Sequence, residues 1–280
     1  MRIFLAGGSG VLGRAVLPLL VAAGHEVVAT TRTPSKTALL AQQGARPVVV
    51  DALDRASVLA SVAQARPDVV VHLLTDLGTG TSASNAELRR TGTRNLVDAA
   101  RRSGVDRMVA ESISWVHRPG PAPAGEDDPL DLDATGPRRT TVTAVAALET
   151  AVQELPAGVV LRFGLLYGPG TWYSRTGRYG MEVREGRLPA TETVASFVHV
   201  ADAARAVLLA LGWPAGVWHV VDDEPAAGRE WVPVLAAALG APRPADATVG
   251  DIGRPVSNAR ATSSGLRLEH ASWRTGFLTL

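Results

Sequence analysis

The chain has 280 residues, a formal net charge of +1, a 46% apolar content and no cysteine. That length suits one large α/β domain, or one plus a small lobe, with ample apolar material for a core. The absence of cysteine excludes disulfides, thiol catalysis and cysteine metal sites and fits a reducing cytoplasm, while the balanced charge, without a basic block interleaved with aromatics, speaks against nucleic acid. No apolar run reaches membrane length, and an apolar strand that starts near residue 2 leaves no room for a signal peptide.

The first apolar run is Ile3-Phe4-Leu5-Ala6. Gly7-Gly8-Ser9-Gly10-Val11-Leu12-Gly13 follows and opens a stretch with helical apolar spacing, Val11, Leu12, Ala15, Val16, Leu19 and Leu20. Strand, glycine turn and helix form the context that a dinucleotide fingerprint requires. Gly7 suits the positive φ of a tight turn. Gly10 lets a pyrophosphate approach the backbone, and Gly13 lets the helix pack closely on the strand. Ser9, Val11 and Leu12 complete the candidate loop, and the N–H groups of the first helical turn face the phosphates.

The second strand reads Glu26-Val27-Val28-Ala29-Thr30 and continues as Thr31-Arg32-Thr33-Pro34-Ser35-Lys36, without the acid that holds a ribose 2′-hydroxyl in NAD-preferring folds. Arg32, with Lys36 and Ser35, can hold a 2′-phosphate instead, which favours NADP over NAD; a solvated arginine ahead of a helix is the plainer reading. A helix near 36–43 leads to a third strand, Pro47-Val48-Val49-Val50-Asp51, followed by Ala52 and a helix over 55–65. Asp68 to Thr75 is apolar almost throughout, as a parallel strand covered on both faces should be. Its end, Leu73-Leu74-Thr75-Asp76, belongs at the ligand crevice.

Residues 83–102 read as a helix, and a fifth strand begins at Met108-Val109-Ala110 and runs into Glu111-Ser112-Ile113-Ser114-Trp115-Val116-His117. Residues 118–138, rich in Pro, Gly and Asp, read as a long loop. A helix over 139–154 precedes a sixth strand over 158–163 and the loop Tyr167-Gly168-Pro169-Gly170-Thr171-Trp172-Tyr173. A helix over 201–211, a seventh strand over 217–221, and helices over 229–239 and 256–268 complete the series. Alternating β and α elements predict a Rossmann-type, doubly wound parallel sheet of about seven strands. The expected division is a dinucleotide-binding domain over 1–165, completed by 196–222. A small discontinuous substrate lobe would comprise 166–195 and 223–280.

These features resemble the extended short-chain dehydrogenase/reductases, the NAD(P)-dependent epimerase/dehydratase group, and in particular its atypical bacterial members. Gly7 to Gly13 matches the cofactor loop, Asp51 the acid that meets the adenine, and Leu73-Leu74-Thr75 the strand end that lines the cofactor ribose. Gly92-Thr93-Arg94-Asn95-Leu96, Tyr167-Gly168-Pro169-Gly170 and Phe197-Val198-His199-Val200-Ala201-Asp202 are similar to three further motifs of the group. The resemblance implies an NAD(P)-dependent oxidoreductase, epimerase or dehydratase acting on a carbonyl or hydroxyl of a small molecule. It also makes a homodimer through helices near 83–102 and 139–154 compatible with the sequence. The group's engine is a Ser or Thr at the end of the fifth strand plus Tyr-x-x-x-Lys on the next helix. There a tyrosine of pKa about 10 is acidified by the lysine charge. Here the corresponding positions fall on Thr143 and Ala147. No tyrosine precedes Tyr167 and no lysine follows Lys36, so the pair is absent.

Ser112 or Ser114 can fill the Ser/Thr position, and each can equally satisfy strand-end backbone. His117, with an ordinary pKa of about 6.5, can serve as acid or base or stand in the loop without a role. Asp76 and Glu111 lie at the correct sheet edge for a general base; a solvated surface carboxylate is the plainer reading of either alone. Trp115, Tyr167, Trp172 and Tyr173, together with Asp76, are the candidate substrate contacts; Tyr167 packing its own turn is the alternative. No histidine pair has metal-ligand spacing, so no metal is expected. Three functions stay open: an NADP(H) oxidoreductase with a replaced proton donor, a cofactor-independent lyase, isomerase or cyclase of secondary metabolism, and a non-catalytic NADP(H) sensor.

Overall fold

In a computed structural model, which describes residues 1–76, 81–248 and 253–280, the chain forms two compact units. The first comprises Met1–Ser112, Asp131–Leu161 and Ala204–Val217; the second comprises Ile113–Leu130, Arg162–Ala203 and Trp218–Leu280.

The elements begin with β1 (Arg2–Ala6), α1 (Val11–Ala22), β2 (Glu26–Thr31), α2 (Thr37–Gln42), β3 (Arg46–Val49) and α3 (Arg55–Ala65). Next come β4 (Val69–His72), α4 (Ser82–Glu87), α5 (Thr93–Arg102), β5 (Arg107–Ile113), α6 (Gly136–Gln153), β6 (Ala157–Phe163) and β7 (Leu165–Tyr167). The series ends with α7 (Arg178–Arg184), β8 (Val194–Ala195), β9 (Phe197–His199), α8 (Val200–Ala210), β10 (Gly216–Val220), β11 (Ala226–Ala227), α9 (Gly228–Leu239), α10 (Ala259–Ser263) and α11 (Trp273–Gly276).

Seven strands form one sheet in the order β10-β6-β5-β4-β1-β2-β3. The pairings from β5 to β3 are parallel, with Ile3 opposite both Val27 and Val69, and His72 opposite Ala110. The order reverses between β1 and β4, and ligands bind outside the strand ends at such a switch point. Alternation places Phe4, Ala6, Val28, Val70, Met108 and Ala110 on one face. There they pack with Val58 and Val62 of α3, Leu96 and Val97 of α5, and Leu148 and Val152 of α6. α3 starts where Asp54 Oδ1 accepts from the N–H groups of Ala56 and Ser57, and it ends at Arg66 with φ +45°. The helix expected over 83–102 is interrupted: Leu88–Gly92 form a π-turn between α4 and α5.

The second unit has small sheets instead of a large one. β7 pairs with β9 in parallel, and β8 with β11 antiparallel. Its core is aromatic and centres on Phe197, whose ring meets those of Tyr167, Tyr173, Trp231, Trp273 and Phe277 at 5.2–6.3 Å, mostly edge to face. Buried Asp202 accepts from the backbone N–H groups of Glu269 and His270, both at 2.9 Å. Of the helix expected over 256–268, α10 is the helical part; helices end early where, as here, a positive-φ glycine (Gly265, φ +100°) turns the chain. Removing the central ring should leave a cavity that five aromatic neighbours cannot close. Phe197→Ala is expected to lower unfolding stability by about 3–5 kcal/mol, read from the urea midpoint; a change under about 1 kcal/mol would contradict this reading of the core.

Candidate active site

The first unit carries a cleft of about 360 Å³ at the switch point, lined by the β1–α1 turn, the end of β2 and the end of β4. Gly7 has φ +91°, and a Cβ there would collide with the Leu73 carbonyl. A Cβ on Gly13 would strike the carbonyl oxygens of Gly7 and Gly8, so only glycine lets α1 approach the turn so closely. Gly10 caps α1 without any side-chain hydrogen bond. The first N–H groups of the helix therefore remain available to an anion. These features fit the pyrophosphate of a dinucleotide.

Of the expected cofactor residues, Gly7, Ser9, Gly10, Val11, Arg32, Leu73, Leu74 and Thr75 line this cleft, and so does Asp76. Leu12 is buried in α1, and Gly13 lies beneath the turn. Ala52 is buried, its carbonyl accepting from Asn95 Nδ2 at 2.9 Å. Asp51 stays exposed and accepts from the Leu53 N–H. Arg14, Thr31 and Leu39 line the cleft without having been singled out in the sequence. For Arg14 the available signal was its place in the first turn of α1. Thr31 stands where an acid would select NAD; its Oγ1 accepts from Ser9 Oγ at 2.9 Å and from the Thr33 N–H at 3.1 Å. Arg32 is half exposed and lies 3.6 Å from Asp76, and Lys36 lines the same cleft.

The candidate proton donors are distributed over both units. Ser112, in the first, is buried and donates to Glu149 Oε1 of α6 at 2.8 Å. Ser114 and His117 belong to the second unit and are also buried. His117 Nε2 is 2.9 Å from His219 Nε2, and His219 Nδ1 is 3.2 Å from the Ser257 carbonyl. Since a carbonyl accepts, His219 Nδ1 donates to it; Arg162 Nη1, which can only donate, also lies 3.3 Å from His117 Nε2. Burial, and then the nearby charge of Arg162, pushes the His117 pKa down to about 4; burial pushes His219 down to about 3. His72 of β4, bonded to Thr93 Oγ1 at 2.8 Å, is likewise pushed down to about 4 by burial.

Among the expected substrate contacts, Trp115 is 42% exposed, the largest ring so presented. Tyr167 and Tyr173 are buried in the aromatic core, and Trp172 packs partly buried against it. His199, Asp202 and His270 come together with one donor atom each inside 4.8 Å. Yet the two imidazoles stack at 3.7 Å and 22°, His199 Nδ1 accepts from the Ala201 N–H, and both Asp202 oxygens accept from backbone. Stacked rings cannot both aim a lone pair at one ion, so this cluster is a structural tie rather than a ligand set.

Fold and cleft together define a dinucleotide-binding enzyme of the doubly wound class. The chain belongs to the NAD dependent epimerase/dehydratase family, which matches residues 3–221. It is 43% identical, over 304 aligned positions covering 99% of each chain, to the 3-diazoavenalumate denitrifying reductase of Streptomyces sp. It is 30% identical to the 2-alkyl-3-oxoalkanoate reductase of Stenotrophomonas maltophilia (strain K279a), over 87% of this chain and 77% of that relative. Among solved structures, the Thermus thermophilus UDP-glucose 4-epimerase in complex with NAD superposes with a TM-score of 0.79 at 25% identity, covering 99% and 97% of the two chains. The Thermotoga maritima UDP-glucose 4-epimerase with UDP-glucose gives 0.80 at 20% identity, covering 99% and 96%. The protein is thus an oxidoreductase- or epimerase-type enzyme that uses a nicotinamide dinucleotide.

Three buried neutral histidines tie stability to pH. Their folded pKa values lie below the ordinary 6.5, so the unfolded chain binds more protons between pH 6.5 and about 4. Stability is expected to fall as pH drops through that window. His219→Asn, whose amide can still donate to Ser257, should flatten the fall in the urea midpoint; an unchanged slope would contradict the assignment.

Proposed function

We propose that the protein is an NADPH-preferring reductase that removes a diazonium group from a small aryl substrate as dinitrogen. The observation that carries this reading is an intact dinucleotide cleft in a chain without the Tyr-x-x-x-Lys pair. That pair serves a carbonyl, whose oxygen must receive a proton as the carbon receives hydride. A diazonium carbon needs no such proton. When bound, the reduced nicotinamide supplies a hydride that becomes the new C–H bond while the C–N bond breaks and N2 leaves, so atoms and charge balance without an acid. Aryl diazonium ions also persist in water long enough to reach an enzyme, as alkyl ones do not. The relative named as a denitrifying reductase of a diazo compound, 43% identical over 99% of this chain, supports the same reading.

Several residues that could replace the acid are otherwise engaged. Thr143, at the position expected for the tyrosine, accepts from Arg90 and donates to the Arg139 carbonyl, each at 2.8 Å. Ser112 donates to Glu149, and His117 is neutral near pH 7. Burial pushes the hydroxyls of Tyr167, Tyr173 and Tyr179 above their ordinary pKa. Carbonyl reduction is the second reading, favoured by the 30% identical oxoalkanoate reductase; its proton donor would be Ser114, or Ser112 or His117 once it leaves its present partner.

The NADPH preference rests on charge. Arg14, Arg32 and Lys36 line the cleft, β2 ends in Thr30-Thr31 without an acid, and Asp76 is the one carboxylate among the described lining residues. A 2′-phosphate there meets cations where an NAD site presents an anion. Fluorescence titration is expected to show tighter binding of NADPH than of NADH. Arg32→Ala should weaken NADPH by about tenfold, the scale of one charge-assisted contact, and leave NADH nearly unchanged. Wild-type protein with NADPH and an aryl diazonium salt should release N2 in step with NADPH consumption. Consumption confined to ketones, with no N2 from the diazonium salt, would favour the carbonyl reading instead.

A further inference from the structure

We propose that Glu111 is the residue that recognises the positive charge of the substrate, its carboxylate presented one hydrogen bond beyond the wall of the dinucleotide cleft; this rests on the diazonium reading above. An acid is unexpected at this point. β5 is otherwise apolar from Met108 up to Ser112, and the neighbours Ala110 and Ser112 are buried. An ionisable group in a central parallel strand opposes both β-propensity and burial, so its presence needs a reason.

Placement supplies one. Ala110 pairs with His72, the last residue of β4, so Glu111 comes level with the segment in which Leu73, Leu74 and Thr75 leave the strand to line the cleft. Met108 and Ala110 point into the core beneath α3, α5 and α6, and Ser112 bonds to Glu149 of α6. By alternation Glu111 points to the other face. It is partly exposed there, and Thr75, itself a cleft residue, donates from Oγ1 to Glu111 Oε1 at 3.0 Å. Among the described residues the second carboxylate oxygen has no hydrogen-bond partner, and Glu111 makes no ion pair. A carboxylate fixed by one oxygen, with no partner at the other among the described residues, can receive a cation.

The charge state is set by two opposed effects. The Glu111 pKa lies above its ordinary value, because burial raises it by more than the Thr75 hydroxyl and the field of Arg89, in the π-turn of the first unit, lower it. Arg89 offsets part of the burial effect through space and, among the described residues, makes no ion pair with Glu111. A diazonium cation completes the pair in a site of low dielectric, where a full charge interacts far more strongly than in water.

The test uses the NADP+ complex of the full chain and two ligands of nearly equal shape, phenyltrimethylammonium as the cation and tert-butylbenzene as its neutral counterpart, with binding measured by calorimetry. Wild type should bind the cation more tightly. Glu111→Gln should erase that preference, weakening the cation by about tenfold or more while the neutral ligand binds as before. Glu111→Asp, which keeps the charge, should retain the preference. In turnover of an aryl diazonium salt, Glu111→Gln should raise KM with little change in kcat, and its NADPH titration should match wild type. Equal weakening of both ligands, loss of preference in Glu111→Asp to the same extent, or a fall in kcat without a rise in KM would overturn the proposal. Absence of N2 release by wild type would instead remove the reading on which it rests, whatever the variants do.

Discussion

Everything in the first unit depends on how closely two pieces of backbone approach at the β1–α1 turn. Gly7 can adopt φ +91° only because it lacks a Cβ, and Gly13 sits where a Cβ would strike the Gly7 and Gly8 carbonyls. That contact starts α1 directly above the end of β1, with an uncapped first turn facing the cleft. The parallel register of β2, β1 and β4 then brings Thr30, Thr31 and Leu73 to the same edge. A side chain at either glycine would move the helix, and with it the groove between sheet and helix. The uncapped first turn of α1 and the cleft it faces both depend on that one steric fact.

The chemistry follows from what surrounds that cleft. Cations gather near the β2 end, and carboxylates, Asp76 and Glu111, near the ends of β4 and β5. An ordinary carbonyl reductase of this architecture needs an acid of moderate pKa at the second end. Among the described residues Ser112 is bound to Glu149, His117 is neutral through burial, and Tyr167 is displaced upward in pKa. A substrate that is already electrophilic and whose nitrogen leaves as neutral N2 removes the need for such an acid. On this view, loss of the Tyr-Lys pair is a change of reaction on a retained hydride site.

Much of this was readable from the sequence, because the decisive signals are local. The glycine turn, the missing acid after β2 and the largely apolar β4 each occupy fewer than ten consecutive residues. What escaped depends on partners distant in sequence. The aromatic cluster Tyr167–Tyr173 reads as a pocket wall until Phe197, Trp231 and Phe277 close around it. The π-turn at 88–92 has the composition of ordinary helix and differs only in its hydrogen bonding. Strands as short as β8 and β11 carry no periodicity at all. Glu111 was visible as an acid at a strand end, but its link to the cleft runs through Thr75, 36 residues earlier.

Isotopic transfer tests the central claim most directly. Wild-type protein incubated with an aryl diazonium salt and NADPH carrying deuterium at the transferable C4 position should give an arene with one deuterium at the carbon that held nitrogen, together with one N2. An arene that takes its new hydrogen from water, or nitrogen retained in the product, would contradict hydride replacement of the diazonium group.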